Sequence, residues 1–268
     1  MWILAIILIL AGGGLFYASR NVQKRLEAMA GVETSQIADL QKLYTEVTKE
    51  IGNGSFDQVA EIKGLISCDQ PLTSEITQKP CAYYTMRVIR EWEEGYSEYN
   101  SQAQEHERKT RRGSEVMSQN TQMIPFWVRD QTGQISVNPA GAEIEAVQII
   151  DEFRPEGPQT QGGAVTLGSF SCHFGMPHMS GDRQTLGYRF QESILALERN
   201  VYVLGVASDS SGELTLQSPR EKGQRFIISL RSEEELTASS RSRMKWLRIG
   251  AIVCVALGLL PLVATRVV

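Results

Sequence analysis

A mainly β fold (α+β) is predicted for this 268-residue chain: a single antiparallel β barrel or sandwich-like domain with one flanking helix, bracketed by two transmembrane helices. Three observations carry that expectation. Leu186–Ser232 contains four short β-branched and aromatic runs separated by Asn, Asp, Ser and Gly, the spacing of consecutive antiparallel strands in a meander. From Gln58 the apolar residues recur at period two. Each end carries 17 uncharged, mostly apolar residues, the lower limit for a helix that crosses a bilayer.

The first apolar segment is Trp2–Ala18. A cleaved signal peptide would want Lys or Arg before the apolar core, and only Met1 stands there. Arg20, Lys24 and Arg25 follow it instead, as in an uncleaved anchor with its amino end outside. Gly12, Gly13 and Gly14 read as a tolerated flexible patch rather than a helix-packing seam. The juxtamembrane segment and an amphipathic helix then fill 19–55. Thr34 or Ser35 supplies the N-cap, Ile37, Leu40, Tyr44, Val47 and Ile51 share one face, and Gly52 is the stop. That face is expected to pack on the chain's own domain.

The β-rich domain is assigned to 56–236. Val59–Ile66 alternates as a strand and ends at Cys68-Asp-Gln-Pro71. A second strand runs from Cys81 to Trp92, with Ala82, Tyr84, Met86, Val88 and Trp92 on one side and Arg87 and Glu91 on the other. Ile124–Asp130 and Gln134–Val137 form a hairpin through Gln131-Thr-Gly133, and Ile144–Phe153 continues the sheet. Two polar insertions, Glu93–Gln122 and Pro155–Arg183, read as long loops. A basic linker at 237–246 leads past Trp246 into a second span at 247–265.

Net charge is −4, but of the 27 basic residues eight lie beside the apolar ends: Arg20, Lys24, Arg25, Arg241, Arg243, Lys245, Arg248 and Arg266. Without them 19 basic face 31 acidic residues, a net −12 that repels phosphate backbones and excludes nucleic acid as a partner. Because the domain-facing flanks hold the basic residues, the middle domain is expected in the cytoplasm with both termini outside.

Candidate chemistry is sparse. Cys172-His-Phe-Gly-Met-Pro-His178 holds thiol and imidazole groups, but three ligands on one loop lack a fourth partner, so no metal or cofactor is assigned. Cys68 and Cys81 fit a bridged strand pair or two buried thiols equally well. No P-loop, dinucleotide fingerprint, His-Glu-x-x-His or Gly-x-Ser-x-Gly elbow occurs, and Ser114, Ser193 and Glu192 read as structural. The densest positive charge of the domain is Arg108, Lys109, Arg111 and Arg112, in the first insertion. These four are the candidate site, a partner-facing cluster that meets an acidic surface.

Lys63-Gly-Leu-Ile-Ser, Cys81-Ala-Tyr-Tyr, Asp130-Gln-Thr-Gly133, Pro139-Ala-Gly-Ala142 and the runs after Leu186, set between two apolar ends, resemble the GIDE-type (MULAN/MAPL-like) family of membrane ubiquitin ligases. The resemblance covers about Phe56 to Leu236. It implies a middle domain called BAM, for beside a membrane, between two spans, and by the family name ubiquitin-protein transferase chemistry. A RING holds two zinc ions with four ligands each. These residues supply 4 Cys and 3 His in all, and no Cys-x-x-Cys. The expected activity is therefore non-catalytic: binding an unidentified protein partner or small ligand while both ends sit in the lipid bilayer.

Overall fold

Strand-forming residues dominate the chain between its helical ends. The computed structural model describes residues 2–100, 105–157, 164–174, 183–221, 223–231 and 233–264. In chain order these form α1 (Trp2–Ala30), α2 (Ile37–Ile51), β1 (Asp57–Ser67), β2 (Leu72–Thr73), β3 (Pro80–Asn100), β4 (Glu105–Met123), β5 (Phe126–Arg129), β6 (Gln134–Val137) and β7 (Glu143–Glu145). Then follow β8 (Val147–Pro155), β9 (Ala164–Leu167), β10 (Phe170–His173), β11 (Arg183–Ala196), β12 (Asn200–Ser208), β13 (Thr215–Gln217), β14 (Ile227–Ser229) and α3 (Glu233–Ala264). The mainly β class and the barrel agree with the sequence. The residues group into two compact units, one of 1–64, 128–144 and 200–268, the other of 65–127 and 145–199.

The first unit is built on a five-stranded barrel. Strands β1, β5, β6, β13 and β12 pair in that order, β12 pairs again with β1, and β14 and β7 extend the sheet. Strands β6 and β13 depart from the antiparallel expectation: they run parallel, Thr215 opposite Ser136 and Leu216 opposite Val137. Every residue of β12 after Asn200 is buried, so both of its faces are covered. Tyr202 and Leu204 on one face pack with Ile227, with Met29 of α1 and with Leu236 of α3. Val201, Val203 and Ala207 alternate with them and are equally buried on the other.

Helices α1 and α3 lie antiparallel against each other. Gly12 faces Ala251 and Val255, Leu15 faces Gly250, and Gly258 faces Ala5, Leu8 and Ile9. A methyl group on Gly12 would lie 2.7 Å from Val255 Cγ2, while Gly13 and Gly14 meet nothing. The expectation that all three glycines are idle is thus corrected for Gly12, where backbone approach is needed. The segment Ala5–Met29 within α1 is long and apolar enough to cross a membrane. Its 29-residue helix is about 43 Å long at 1.5 Å per residue, so it outlasts the hydrocarbon layer and carries the chain into the barrel as one rod.

Helix α2 packs on its own unit through the first part of its expected stripe, with Ile37 and Leu40 buried, but Ile51 at its end is 72 % exposed; Gly52 ends it at a φ of 103°. Its amino end is capped differently. Thr34 Oγ1 donates instead to Glu61 Oε1 at 2.6 Å, Ser35 N–H to the Glu61 carbonyl at 2.8 Å, and Gln36 precedes the helix without a side-chain cap. The free N–H groups are met from the turn between β5 and β6: Ile37 N–H donates to Asp130 Oδ2 at 2.9 Å and Ala38 N–H to Thr132 Oγ1 at 3.1 Å. Partial burial alone would push the Asp130 carboxyl up. The hydrogen bonds it accepts from Ile37, Thr132 and Gly133 outweigh that and hold its pKa below the ordinary Asp value.

The second unit is an antiparallel sheet in the order β2–β3–β11–β8, with β4 also on β3. A separate hairpin of β9 and β10 covers its apolar face. Phe190, Tyr188, Met86, Val88 and Val165 are buried there, Phe170 meets Phe190 edge-on at 6.2 Å, and Phe174 stacks on Tyr188 at 6.1 Å.

Three expectations about pairing are overturned. The runs after Leu186 are not a meander: β11 pairs β3 and β8, β12 pairs β13 and β14, and β13 pairs on to β6. Both edges of β11 are already occupied, so β12 has no edge of it to join. The stretch Ile144–Phe153 is not one strand, because the chain leaves β7 and enters β8 in a different sheet across Ala146. Finally, most of Glu93–Gln122 is strand: β3 and β4 form a long ribbon from Tyr83 opposite Met123 to Asn100 opposite Glu105.

Candidate functional site

The ribbon carries all four basic residues of the candidate cluster. Among the described residues β11 accompanies β3 as far as Arg183 opposite Glu94, and beyond it Gly95–Asn100 pairs with Glu105–Thr110. Those six residues extend the ribbon by about 20 Å at ~3.4 Å per residue. We call this extension, together with its root at 92–94 and 111–113, the arm.

An isolated two-stranded ribbon is marginal in water, and side chains must supply what a third strand would. The arm does this with cross-strand charge pairs. Arg111 donates to Glu94 directly opposite, with Nη2 at 2.6 Å, and Arg112 Nε lies 2.6 Å from its opposite number Glu93. Lys109 reaches diagonally to Glu98 at 2.6 Å and to Glu107 at 3.7 Å. The Arg111 hydrogen bond holds the Glu94 carboxyl below the usual Glu value, and Glu98 raises Lys109. Residues 93–112 hold five Glu against four Arg and Lys, so the region is charge-balanced rather than positive.

Period two also divides the cluster. Lys109 and Arg111 share one face of the ribbon with Gly113 and, across the strand, Trp92, Glu94 and Tyr96, whereas Arg108 and Arg112 lie on the opposite face. The first face has a built base. A methyl group on Gly113 would lie 2.3 Å from Trp92 Cζ2, so only glycine lets the indole lie across β4. The Arg183 guanidinium stacks over the same indole at 4.0 Å and its Nη2 lies 3.5 Å from Glu94. Tyr96, 40 % exposed, continues that face towards the tip. At the tip Tyr99 lies against His106, ring centroids 5.2 Å apart. Trp92, Gly113 and Arg183 were not legible as a unit, because the contact joins three strands distant in sequence.

The other candidates are scattered. Cys172 and His173 are adjacent in β10 and point to opposite faces, and His178 lies outside the described residues. Cys68 and Cys81 are free thiols; Cys81 is pushed up to about 11 by burial and then by Glu192, which leaves it no nucleophile. Glu192 is buried and accepts from Ser74 Oγ at 3.0 Å, Ile76 N–H at 2.7 Å and Thr77 N–H at 3.0 Å, fastening the turn between β2 and β3. Glu61, also buried, accepts from Tyr202 Oη at 2.9 Å as well as from Thr34. Asp209 accepts from Gly54 N–H at 2.7 Å and Phe56 N–H at 3.0 Å. Each buried carboxylate is saturated by donors that tie chain segments together, an occupation that serves the fold.

Residues 96–264, from the arm through α3, match the GIDE family model, which is described as an E3 ubiquitin ligase. The chain belongs to the GIDE family. No curated protein and no solved structure matches it. The GIDE match starts inside β3 and ends at the close of α3, so it takes in the arm, part of the barrel and the apolar carboxyl-terminal helix. In this GIDE chain the motif Asp130-Gln-Thr-Gly133 has a physical duty: Thr132 N–H and Gly133 N–H donate to Asp130 Oδ1 at 2.6 and 2.8 Å, leaving Oδ2 to cap α2.

Proposed function

We propose that this GIDE chain is a non-catalytic adaptor anchored through two spans, α1 and the apolar part of α3, with its β units in the cytoplasm and the arm as the surface that meets a protein partner. The observation that carries this reading is the joint of α1 and α3 with the barrel. Met29 and Leu236, both fully buried, insert side by side on Tyr202, Leu204 and Ile227. A fixed joint holds the barrel at one height over the bilayer and raises the effective concentration of its surfaces for other membrane components. On the arm, the Trp92, Tyr96, Lys109 and Arg111 face combines rigid aromatic area with charge, the residue types enriched where proteins dock. Its charges would exchange the intramolecular Glu94 and Glu98 for a partner's carboxylates.

The family description favours a second reading, participation in ubiquitin transfer. The 4 Cys and 3 His of these residues are one ligand short of a RING, so the chain would have to act beside a catalytic module rather than as one. Crosslinking in native membranes, followed by identification of the captured proteins, tests the adaptor reading: recovery of defined partners that are lost on arm substitution supports it. Chelator-sensitive ubiquitin chain formation by the purified protein would replace it with the second. A single Cys at Ser101 labelled by an impermeant reagent in intact cells would overturn the cytoplasmic placement.

A further inference from the structure

One face of α1 holds cations that the described residues leave without a carboxylate partner. Tyr17, Arg20, Asn21, Gln23, Lys24 and Glu27 line a groove of about 440 Å³. Its amide groups are engaged and its two cations are not. Asn21 accepts from Arg225 through its backbone carbonyl at 3.2 Å and through its side chain. Gln23 donates to Glu27 at 2.8 Å and accepts from Arg248 at 2.6 Å. Arg20 has only the Phe16 ring, 6.0 Å from its guanidinium carbon, and Lys24 has no hydrogen bond or ion pair among the described residues. Two cations one turn apart on one helix face, with no carboxylate between them, are a receptor for an anion with more than one oxygen.

The surroundings identify where that anion comes from. Ile3, Ile6, Leu10 and Tyr17 recur at helical spacing on the same side of α1 as Lys24, and they are 76 %, 56 %, 70 % and 78 % exposed. Gly13 and Gly14 leave that track open between Leu10 and Tyr17. From Arg20 to Glu27 is about 10 Å along the helix, comparable with the depth of one headgroup layer. We propose that this groove binds one anionic phospholipid. Its acyl chain follows the track from Tyr17 towards Ile3, its phosphate lies between Arg20 and Lys24, and a headgroup hydroxyl or ammonium donates to Glu27. The inference rests on α1 lying in the bilayer and is independent of the arm and of the partner it meets.

Native mass spectrometry of the full chain, released from membranes made of equal phosphatidylglycerol and phosphatidylcholine, reads the site directly. The expected result is one retained phosphatidylglycerol per chain in excess over phosphatidylcholine. Arg20→Gln with Lys24→Gln is expected to lower that excess about 25-fold, each near-surface cation contributing roughly fivefold. Arg241→Gln with Arg243→Gln, an equal loss of charge elsewhere at the membrane boundary, is expected to leave it unchanged. No preference in the wild-type protein overturns the proposal, as does an equal loss in both double variants, which would mean a diffuse surface potential. Displacement of the lipid by millimolar glycerol phosphate would assign the groove to a soluble phosphate ester and also overturn it. Carbonate extraction of the same membranes reports insertion separately, so a chain that fails to insert refutes the anchor reading instead.

Discussion

Two sets of basic residues, similar in the sequence, have opposite fates in the fold. Those of the arm, Lys109, Arg111 and Arg112, are paired within 2.6 Å of Glu98, Glu94 and Glu93. Those at the membrane boundary, Lys24, Arg241, Arg243 and Lys245, make no ion pair among the described residues. The difference follows from periodicity and neighbours. An extended ribbon sets every residue opposite a partner about 5 Å away, so a Glu-rich strand neutralises an Arg-rich one. Along α1 and α3 the basic residues outnumber nearby carboxylates: Arg25 is turned in towards Glu143 at 3.9 Å, whereas Lys24, Arg241, Arg243 and Lys245 are exposed. Charge density in a sequence therefore marks a ready anion site only where the fold leaves it unspent; on the arm a partner's carboxylates must first displace Glu94 and Glu98.

The comparison is tested first at the roots of the two regions. The boundary helices are fixed by buried side chains, so Leu236→Ala should cost about 2–5 kcal/mol through lost burial and a cavity, read as a lowered thermal transition of the whole barrel. A shift within error would mean that the helices are not rooted there. The arm is fixed by one close approach, so Gly113→Val should cost about 1–3 kcal/mol by displacing the Trp92 indole. Its signature is lost near-ultraviolet dichroism and faster amide exchange confined to 92–113; unchanged exchange would remove Trp92 as the arm's base.

Acid provides a smaller and signed effect. Asp130 has a depressed pKa in the folded chain, so its contribution is present above the unfolded value near 4 and is lost as pH falls through the lower folded value. Asp130→Ala should cost about 1 kcal/mol at neutral pH, in the range of a lost helix cap, and the gap to wild type should close as pH falls below the ordinary Asp value. A gap that persists in acid would mean that the carboxylate charge is not what caps α2. Glu94 is depressed too, so the arm should open over the same acidic range, visible in amide exchange, whereas the α1–α3 pair should not.

The smallest stability effect is the most informative about function. Lys109→Ser with Arg111→Ser, and separately Arg108→Ser with Arg112→Ser, should each leave the thermal transition nearly unchanged, because exposed ion pairs contribute little. Only the first pair is expected to reduce the crosslinked partner. Equal loss from both pairs would restore the single-cluster reading, and full recovery with both would remove the arm from the interface.

What the sequence by itself determined is what short-range periodicity encodes. Alternation at period two marked β1, β3 and the hairpin of β5 and β6, and the 3.6-residue stripe together with Gly52 set α2 and its end. A run of 17 apolar residues marked a helix long and apolar enough to cross a membrane, because hydrocarbon thickness is a length that sequence can match. What only the tertiary structure decided is which edge each strand joins and which face each helix spends. The same alternation suits any free edge, so the order of β11 to β14 was read as a meander until β3 and β8 claimed both edges of β11. The cap of α2 comes from Asp130, 93 residues away, where local spacing offered Thr34 and Ser35. The arm read as a loop because its polar residues lack the apolar face by which a strand is recognised, and its pairing is carried by charges that only the register brings together.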